Sequence, residues 1–260
     1  MKTIKIDLSE SLESIELHPL GDFHFGDSMS DWAHIQKMLK HIEETPNAYC
    51  ILGGDLMDSA IASSIGDTYA ANLSPMEQLR LCVQIFEPIK DKILCILHGN
   101  HENRHYKTNG IDLTALMADQ LGIRDRYSPT TALVFLRFGK HAVAAKQHRR
   151  KIAYTIYATH GSGGGRKEGG KINRLADYAQ IVDADVYICW HTHLPASFRC
   201  AYFRPSMANS SVTKVSKLFV NGAAALEYGG YGDVQGYKPG DMTNPVIFLS
   251  GKEHSARSLV

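Results

Sequence analysis

Aspartate, asparagine and histidine recur in this sequence in short clusters. They are Asp22 and His24 in GDFH, Asp55 and Asp58 in GGDLMD, Asn100 and His101 in GNHE, His160 in THG, and His191 and His193 in WHTH. Each cluster directly follows a short apolar run of strand-like composition. As donors, Asp22, His24, Asp55, Asn100, His160, His191 and His193 offer carboxylate, amide oxygen and imidazole. That mixture suits divalent first-row metals such as manganese, iron, zinc, cobalt or nickel, and does not choose among them. The set is too large for one tetrahedral ion and suits two ions sharing a carboxylate. Two-metal sites hold their ions ~3.5–4 Å apart and clamp the attacking and leaving oxygens of a phosphoryl displacement. No thiolate joins the set, which argues against a structural zinc site. The 13 histidines of the 260-residue chain are the compositional trace of the same chemistry. Taken singly, each cluster reads as a strand-end turn; their succession at strand ends is what carries weight.

The positioning elements are legible from hydrophobic pattern. Strand-like runs are SIELHPL (14–20), AYCILGG (48–54), KILCILHG (92–99), TALVFLRF (131–138), IAYTIYATHG (152–161), VYICWH (186–191), KLFVNG (217–222) and PVIFLS (245–250). Helices alternate with the early ones. Over residues 30–44, Trp32, Ile35, Leu39 and Ile42 fall on one stripe. Residues 74–90 open with Ser74, Pro75 and Glu77, a capping box with proline at the first helical position, and Met76, Leu79, Val83 and Phe86 form the expected buried stripe. Two further helices are expected over 110–121 and 173–182. The glycine-rich run GSGGGRKEGGK (161–171) lacks P-loop order and reads as a mobile loop beyond His160. The segment YGGYGDVQGYKPGD near the C-terminus reads as loop.

The βαβα start predicts a sheet with helices packed on it. The strand-rich remainder, with no linker or repeat, predicts one domain over residues 1–260 with two packed mixed sheets and helices outside. Residues 200–260 either complete the sheets or form a cap. Lys plus Arg (28) nearly balances Asp plus Glu (27), so an extended basic footprint for a polyanion is not expected. The five cysteines, Cys50, Cys82, Cys95, Cys189 and Cys200, show no zinc-knuckle spacing and read as reduced residues of a cytoplasmic protein. The N-terminus does not read as a signal peptide. No apolar run approaches the ~20 residues that span a bilayer, so no membrane partner is expected.

In GDFH, GGDLMD, GNHE, THG and WHTH, in that order over residues 21–193, the sequence resembles the calcineurin-like metallophosphoesterases. The resemblance implies a four-layer αββα sandwich and two divalent ions, manganese foremost. Asp22, His24 and His193 would hold one ion, Asn100, His160 and His191 the other, and Asp55 would bridge them. His101 would face the substrate as general acid, oriented and kept protonated by Asp58, while a hydroxide made available by the metals attacks phosphorus. Two departures stand out. Trp190 replaces the glycine usual in GHTH, where it would either wall the pocket or pack inside. Ser59 and Ala60 stand where the protein phosphatase branch carries a phosphate-gripping arginine.

Arg104 is the nearest candidate phosphate contact, and His105 is placed at the pocket edge. Arg166, Lys167 and Lys171 are further cations near His160. The basic turn Lys140, Lys146, Arg149, Arg150 and Lys151 reads as a solvated hairpin tip, and His18, His34, His41 and His98 as structural or surface residues. The function expected is a phosphoesterase, leaning to a phosphodiesterase or nuclease acting on nucleic acid or a cyclic nucleotide. The alternatives are a phosphomonoesterase for a nucleotide or phosphoprotein, and a scaffold that has lost catalysis.

Overall fold

The computed structural model describes residues 1–62, 64, 71–139 and 152–260. The basic turn predicted at Lys140, Lys146, Arg149, Arg150 and Lys151 lies outside the described residues. In chain order the strands are β1 (Lys2–Leu8), β2 (Ser14–Leu20), β3 (Ala48–Leu52), β4 (Ile93–Leu97), β5 (Tyr127–Ser128), β6 (Thr131–Phe138), β7 (Ala153–Thr159), β8 (Val186–Cys189), β9 (Ala196–Ser206), β10 (Ser211–Asn221), β11 (Val246–Ser250) and β12 (Ala256–Leu259). The helices are α1 (Trp32–Glu44), α2 (Pro75–Phe86), α3 (Asn103–Asn109), α4 (Leu113–Gln120), α5 (Glu168–Asp177) and α6 (Gly230–Val234).

Among the described residues the strands form two mixed six-stranded sheets, ordered β1-β6-β7-β8-β10-β9 and β12-β11-β2-β3-β4-β5. In the second sheet β2, β3, β4 and β5 run parallel; in the first, β7, β8 and β10 do. Alternation of side chains along the strands produces the layers. Along β6, Ala132, Val134, Leu136 and Phe138 join a core between the sheets with Leu17, Ile51 and Leu97. Leu133 points the other way and packs with Leu175 of α5. Cys50, Leu52 and Ile96 likewise leave the outer face of the second sheet to α1, α2 and α4. The result is the expected αββα sandwich.

The C-terminal strands complete both sheets. Between β10 and β11 the chain passes the ends of the central strands, where Ala225 N donates to Asp22 O and Asp31 N to Ala225 O.

Local expectations fare unevenly. Ile35, Leu39 and Ile42 are buried as predicted, but Trp32, at the very start of α1, is partly exposed and only edges onto Phe25. Met76 is exposed and Gln78 takes its place in the buried stripe of α2. The reason is polar: the Gln78 side chain accepts from Ser59 N at 2.9 Å and donates to Leu73 O at 2.8 Å. Helix α3 buries no residue, so it leaves no hydrophobic stripe in the sequence; left-handed Gly110 ends it. Helix α5 begins at Glu168, so part of the run read as a loop is helix despite Gly169 and Gly170, with Leu175 as its buried anchor. The C-terminal loop includes the short α6.

The capping box of α2 is formed in both directions, Ser74 N to Glu77 Oε2 at 2.8 Å and Glu77 N to Ser74 Oγ at 3.4 Å. Ser74→Ala is therefore expected to destabilise the protein by about 1 kcal/mol, read as a lower urea midpoint with unchanged slope.

Candidate metal centre

The clustered polar residues all sit just past strand ends: Asp22 and His24 after β2, Asp55 and Asp58 after β3, Asn100 and His101 after β4, His160 after β7, His191 and His193 after β8. Both sheets therefore contribute. The loops are laced by main-chain bonds, Asp22 N to Gly54 O and His24 N to Asp55 O, both at 3.0 Å, and Trp190 N to His160 O at 3.1 Å. Bringing the side chains inward requires an unusual backbone. Asp22, His24, Asp55, Ser59, His191 and His193 all have φ between 49° and 69°. For non-glycine residues this left-handed region costs about 1–3 kcal/mol each and is retained where geometry matters more than local stability.

Two three-donor sets result: Asp22, His24 and His193, and Asp55, His160 and His191. In the first, Asp22 Oδ1 lies 4.0 Å from His24 Nε2 and 3.6 Å from His193 Nε2. In the second, Asp55 Oδ2 lies 3.3 Å from His160 Nε2, and Asn100 Oδ1 accepts from that nitrogen at 2.9 Å. Asp22 Oδ1 and His24 Nε2 are buried and without a hydrogen-bond partner. Such orphans are rare in native interiors. Two donors each ~2.1 Å from a shared ion stand about 3–4 Å apart, so these residues fit a bound divalent metal.

The protonation pattern agrees. Burial works to raise the pKa of Asp22 and Asp55, but His193 and His160 hold both below the usual carboxylate value. Burial and the neighbouring His101 push His24 down to about 3, leaving it a neutral imidazole. His160 behaves oppositely: burial would lower it, yet Asp55 and Asp22 bring it up to about 10.

Beside the sets stand His101 and Asp58. His101 Nδ1 lies 3.0 Å from both the carboxylate and the main-chain carbonyl of Asp58. Both are acceptors, so Nδ1 carries a proton and Nε2 faces the metal sets, 3.9 Å from Asp55 Oδ2. Arg104 bonds Asp58 O through Nη1 and reaches His101 Nε2 through Nη2, each at 3.0 Å. His105 sits partly buried with Nε2 unpartnered. Lys171 donates to Thr192 O, between His191 and His193, and Arg166 to Gln235 O. Trp190 is fully buried in the core between the sheets, so it packs inside and does not wall the pocket. A Cβ at Gly21, Gly53 or Gly222 would run into its indole, so three glycines make room for it.

Glu102 joins the site without having stood out in the sequence. Its carboxylate is wholly buried and accepts four backbone N–H groups, from Leu56 at 2.7 Å, Met57 at 3.0 Å, Asp55 at 3.1 Å and Gly99 at 3.2 Å. It thereby clamps the loop after β3 to the loop after β4. The signal was present, an acid directly following His101, but nothing in the spacing distinguishes a clamp from a surface charge.

The profile of calcineurin-like phosphoesterases matches residues 20–195. Comparison with curated proteins gives no match. Among solved structures, a predicted phosphoesterase from Streptococcus pneumoniae is 12% identical, with 96% of this chain and 99% of that chain covered and a TM-score of 0.36. A metallophosphoesterase from Sphaerobacter thermophilus is 12% identical, with 95% and 89% covered and a TM-score of 0.40. Vps29 from Entamoeba histolytica, solved with zinc, is 12% identical, with 94% and 97% covered and a TM-score of 0.38.

Two outcomes are expected. His160 is protonated at neutral pH in the metal-free protein, and a ligand nitrogen must be free of its proton. Metal uptake is therefore expected to release about one proton from His160 and to tighten as pH rises toward the value of about 10. Calorimetry in buffers of differing ionisation enthalpy reads this, and no proton release would contradict it. Glu102→Ala strands four buried N–H donors and is expected to destabilise the protein by at least ~3 kcal/mol, with metal affinity falling alongside.

Proposed function

The chain belongs to the calcineurin-like phosphoesterase family, and on that premise we propose that it is a two-metal phosphoester hydrolase acting on a phosphodiester. One observation carries the reading: two three-donor sets meet beside His101 and its partner Asp58. Two divalent ions there would activate water near neutral pH and clamp the attacking and leaving oxygens. Asp22, His24 and His193 would hold one ion, and Asn100, His160 and His191 the other, with Asp55 between. Manganese is our first choice, with iron, zinc, cobalt or nickel served by the same donors.

The chain's own residues do the proton work. Burial opposes a charge on His101, but Asp58 and Asp55 outweigh it and raise its pKa. The imidazolium is thus favoured, and its Nε2 proton is the one positioned for a leaving oxygen. That proton would point at Arg104 Nη2, 3.0 Å away. Two donors repel, so charging His101 releases Arg104 toward a phosphate oxygen. His105 would line the pocket edge beyond it.

The choice of a diester rests on charge. A monoester presents about two negative charges and a diester one. Of the nearby cations, Lys171 and Arg166 are bonded to main-chain carbonyls, Thr192 O and Gln235 O, which leaves Arg104 to meet a single phosphate charge. Nucleic acid strands and cyclic nucleotides are the substrate classes this implies. The described helices include none long and apolar enough to cross a membrane. With five free thiols, four of them buried, we propose a cytoplasmic location.

The test pairs bis-p-nitrophenyl phosphate with p-nitrophenyl phosphate on manganese-loaded protein. The diester is expected to turn over faster and Asp55→Ala to abolish turnover. Faster monoester hydrolysis would replace the substrate class, and an Asp55→Ala protein as active as the wild type would sink the two-metal reading. His101→Asn is expected to lower kcat about 10²–10⁴-fold on an alkyl phosphodiester. The loss should be smaller with p-nitrophenolate, a leaving group that needs little help from a proton.

A further inference from the structure

Strand β2 carries a second donor set nearer its start. Glu16 and His18 are two apart and share one face of the strand, and α1 lays His41 over that face. His41 Nε2 lies 3.0 Å from Glu16 Oε2, and His18 Nε2 lies 3.5 Å from the same oxygen. One donor atom from each residue falls within 4.8 Å of the others. The phosphoesterase reading uses none of them. Asp22, the first ligand of the main centre, is four residues beyond His18, roughly 13 Å along extended chain.

His18 supplies the independent observation. It is only 6% exposed, and its Nε2 has no hydrogen-bond partner. Leaving such a nitrogen unpaired is unfavourable, and Glu16 Oε2 cannot fully serve two imidazoles at once. We propose that Glu16, His18 and His41 form a third metal site, which takes one zinc-like divalent ion and staples α1 to β2.

Two imidazoles, one carboxylate and a position left for water make a four-coordinate zinc set. Tetrahedral bonds of ~2.0–2.1 Å place donor atoms about 3.3 Å apart, close to the separations found. Burial holds His18 down to about 4, so it is a neutral imidazole at neutral pH, with one ring nitrogen able to bind an ion. The Glu16 carboxylate offsets part of the ion's charge. His41 is half exposed, so the ion has a route in from solvent.

The test is metal stoichiometry. Full-length protein stripped of metal is titrated with Zn²⁺ against a chromophoric chelator, beside His41→Ala and Glu16→Gln, both at partly exposed positions. The wild type is expected to bind one ion more than either variant, with affinity for that ion falling about 100-fold or more on substitution. Hydrolysis of bis-p-nitrophenyl phosphate should be unchanged in His41→Ala. Asp55→Ala should still bind this ion, and Zn²⁺ should raise its melting temperature more than that of the Asp55→Ala, His41→Ala double variant. This site and the phosphoesterase reading therefore fail separately. Equal zinc uptake by the wild type and both variants, or equal thermal shifts in the Asp55→Ala pair, would overturn the proposal.

Discussion

Asp22 and Asp55 are carboxylates wholly removed from water at a point where strands of both sheets end. An ionised carboxylate in that position is costly unless polar partners compensate it. Each divides the task in the same way. Asp22 Oδ2 accepts from His191 N at 2.9 Å, and Asp55 Oδ1 accepts from His101 N at 2.8 Å. One oxygen thus binds another donor-bearing loop to its own, and the remaining oxygen is aimed at imidazoles. Asp22 ties a loop of one sheet to a loop of the other; Asp55 ties neighbouring loops of the same sheet. The charge that the site needs is also what assembles it.

Around this pair the fold supplies rigidity from two directions. Glu102 gathers four main-chain donors behind Asp55 and so ties the loop after β3 to the loop after β4. Trp190 fills the space beneath the histidine loop, made possible by Gly21, Gly53 and Gly222. Its neighbours His191 and His193 are held in the left-handed conformation above a packed core, the arrangement in which local strain is best sustained. The imidazoles then divide by environment. His24 is neutral because burial and His101 disfavour its charge, whereas His160 retains a proton because two carboxylates face it.

The sequence was most readable where chemistry and periodicity coincide. Ligand-type residues at strand ends picked out side chains that the structure gathers into two three-donor sets, and alternation along runs such as TALVFLRF located the strands. The capping box of α2 was readable to the residue. Failures came where tertiary context decided. Gln78 displaced Met76 from a buried stripe because its amide satisfies Ser59 N and Leu73 O, partners that no helical wheel contains. Helix α5 extends into a glycine-rich stretch because Leu175 anchors it and Lys171 reaches Thr192 O. Glu102 and the accommodation of Trp190 depend on contacts between loops far apart in sequence, which spacing does not encode.

Diffraction at the manganese absorption edge, from crystals grown with Mn²⁺, would count and locate the ions at this site. Two anomalous peaks ~3.5–4 Å apart are expected at the strand ends. One should lie against Asp22, His24 and His193 and the other against Asn100, His160 and His191, with Asp55 between them. A single peak at saturating metal, or two peaks that Asp55 does not touch, would contradict the two-metal reading.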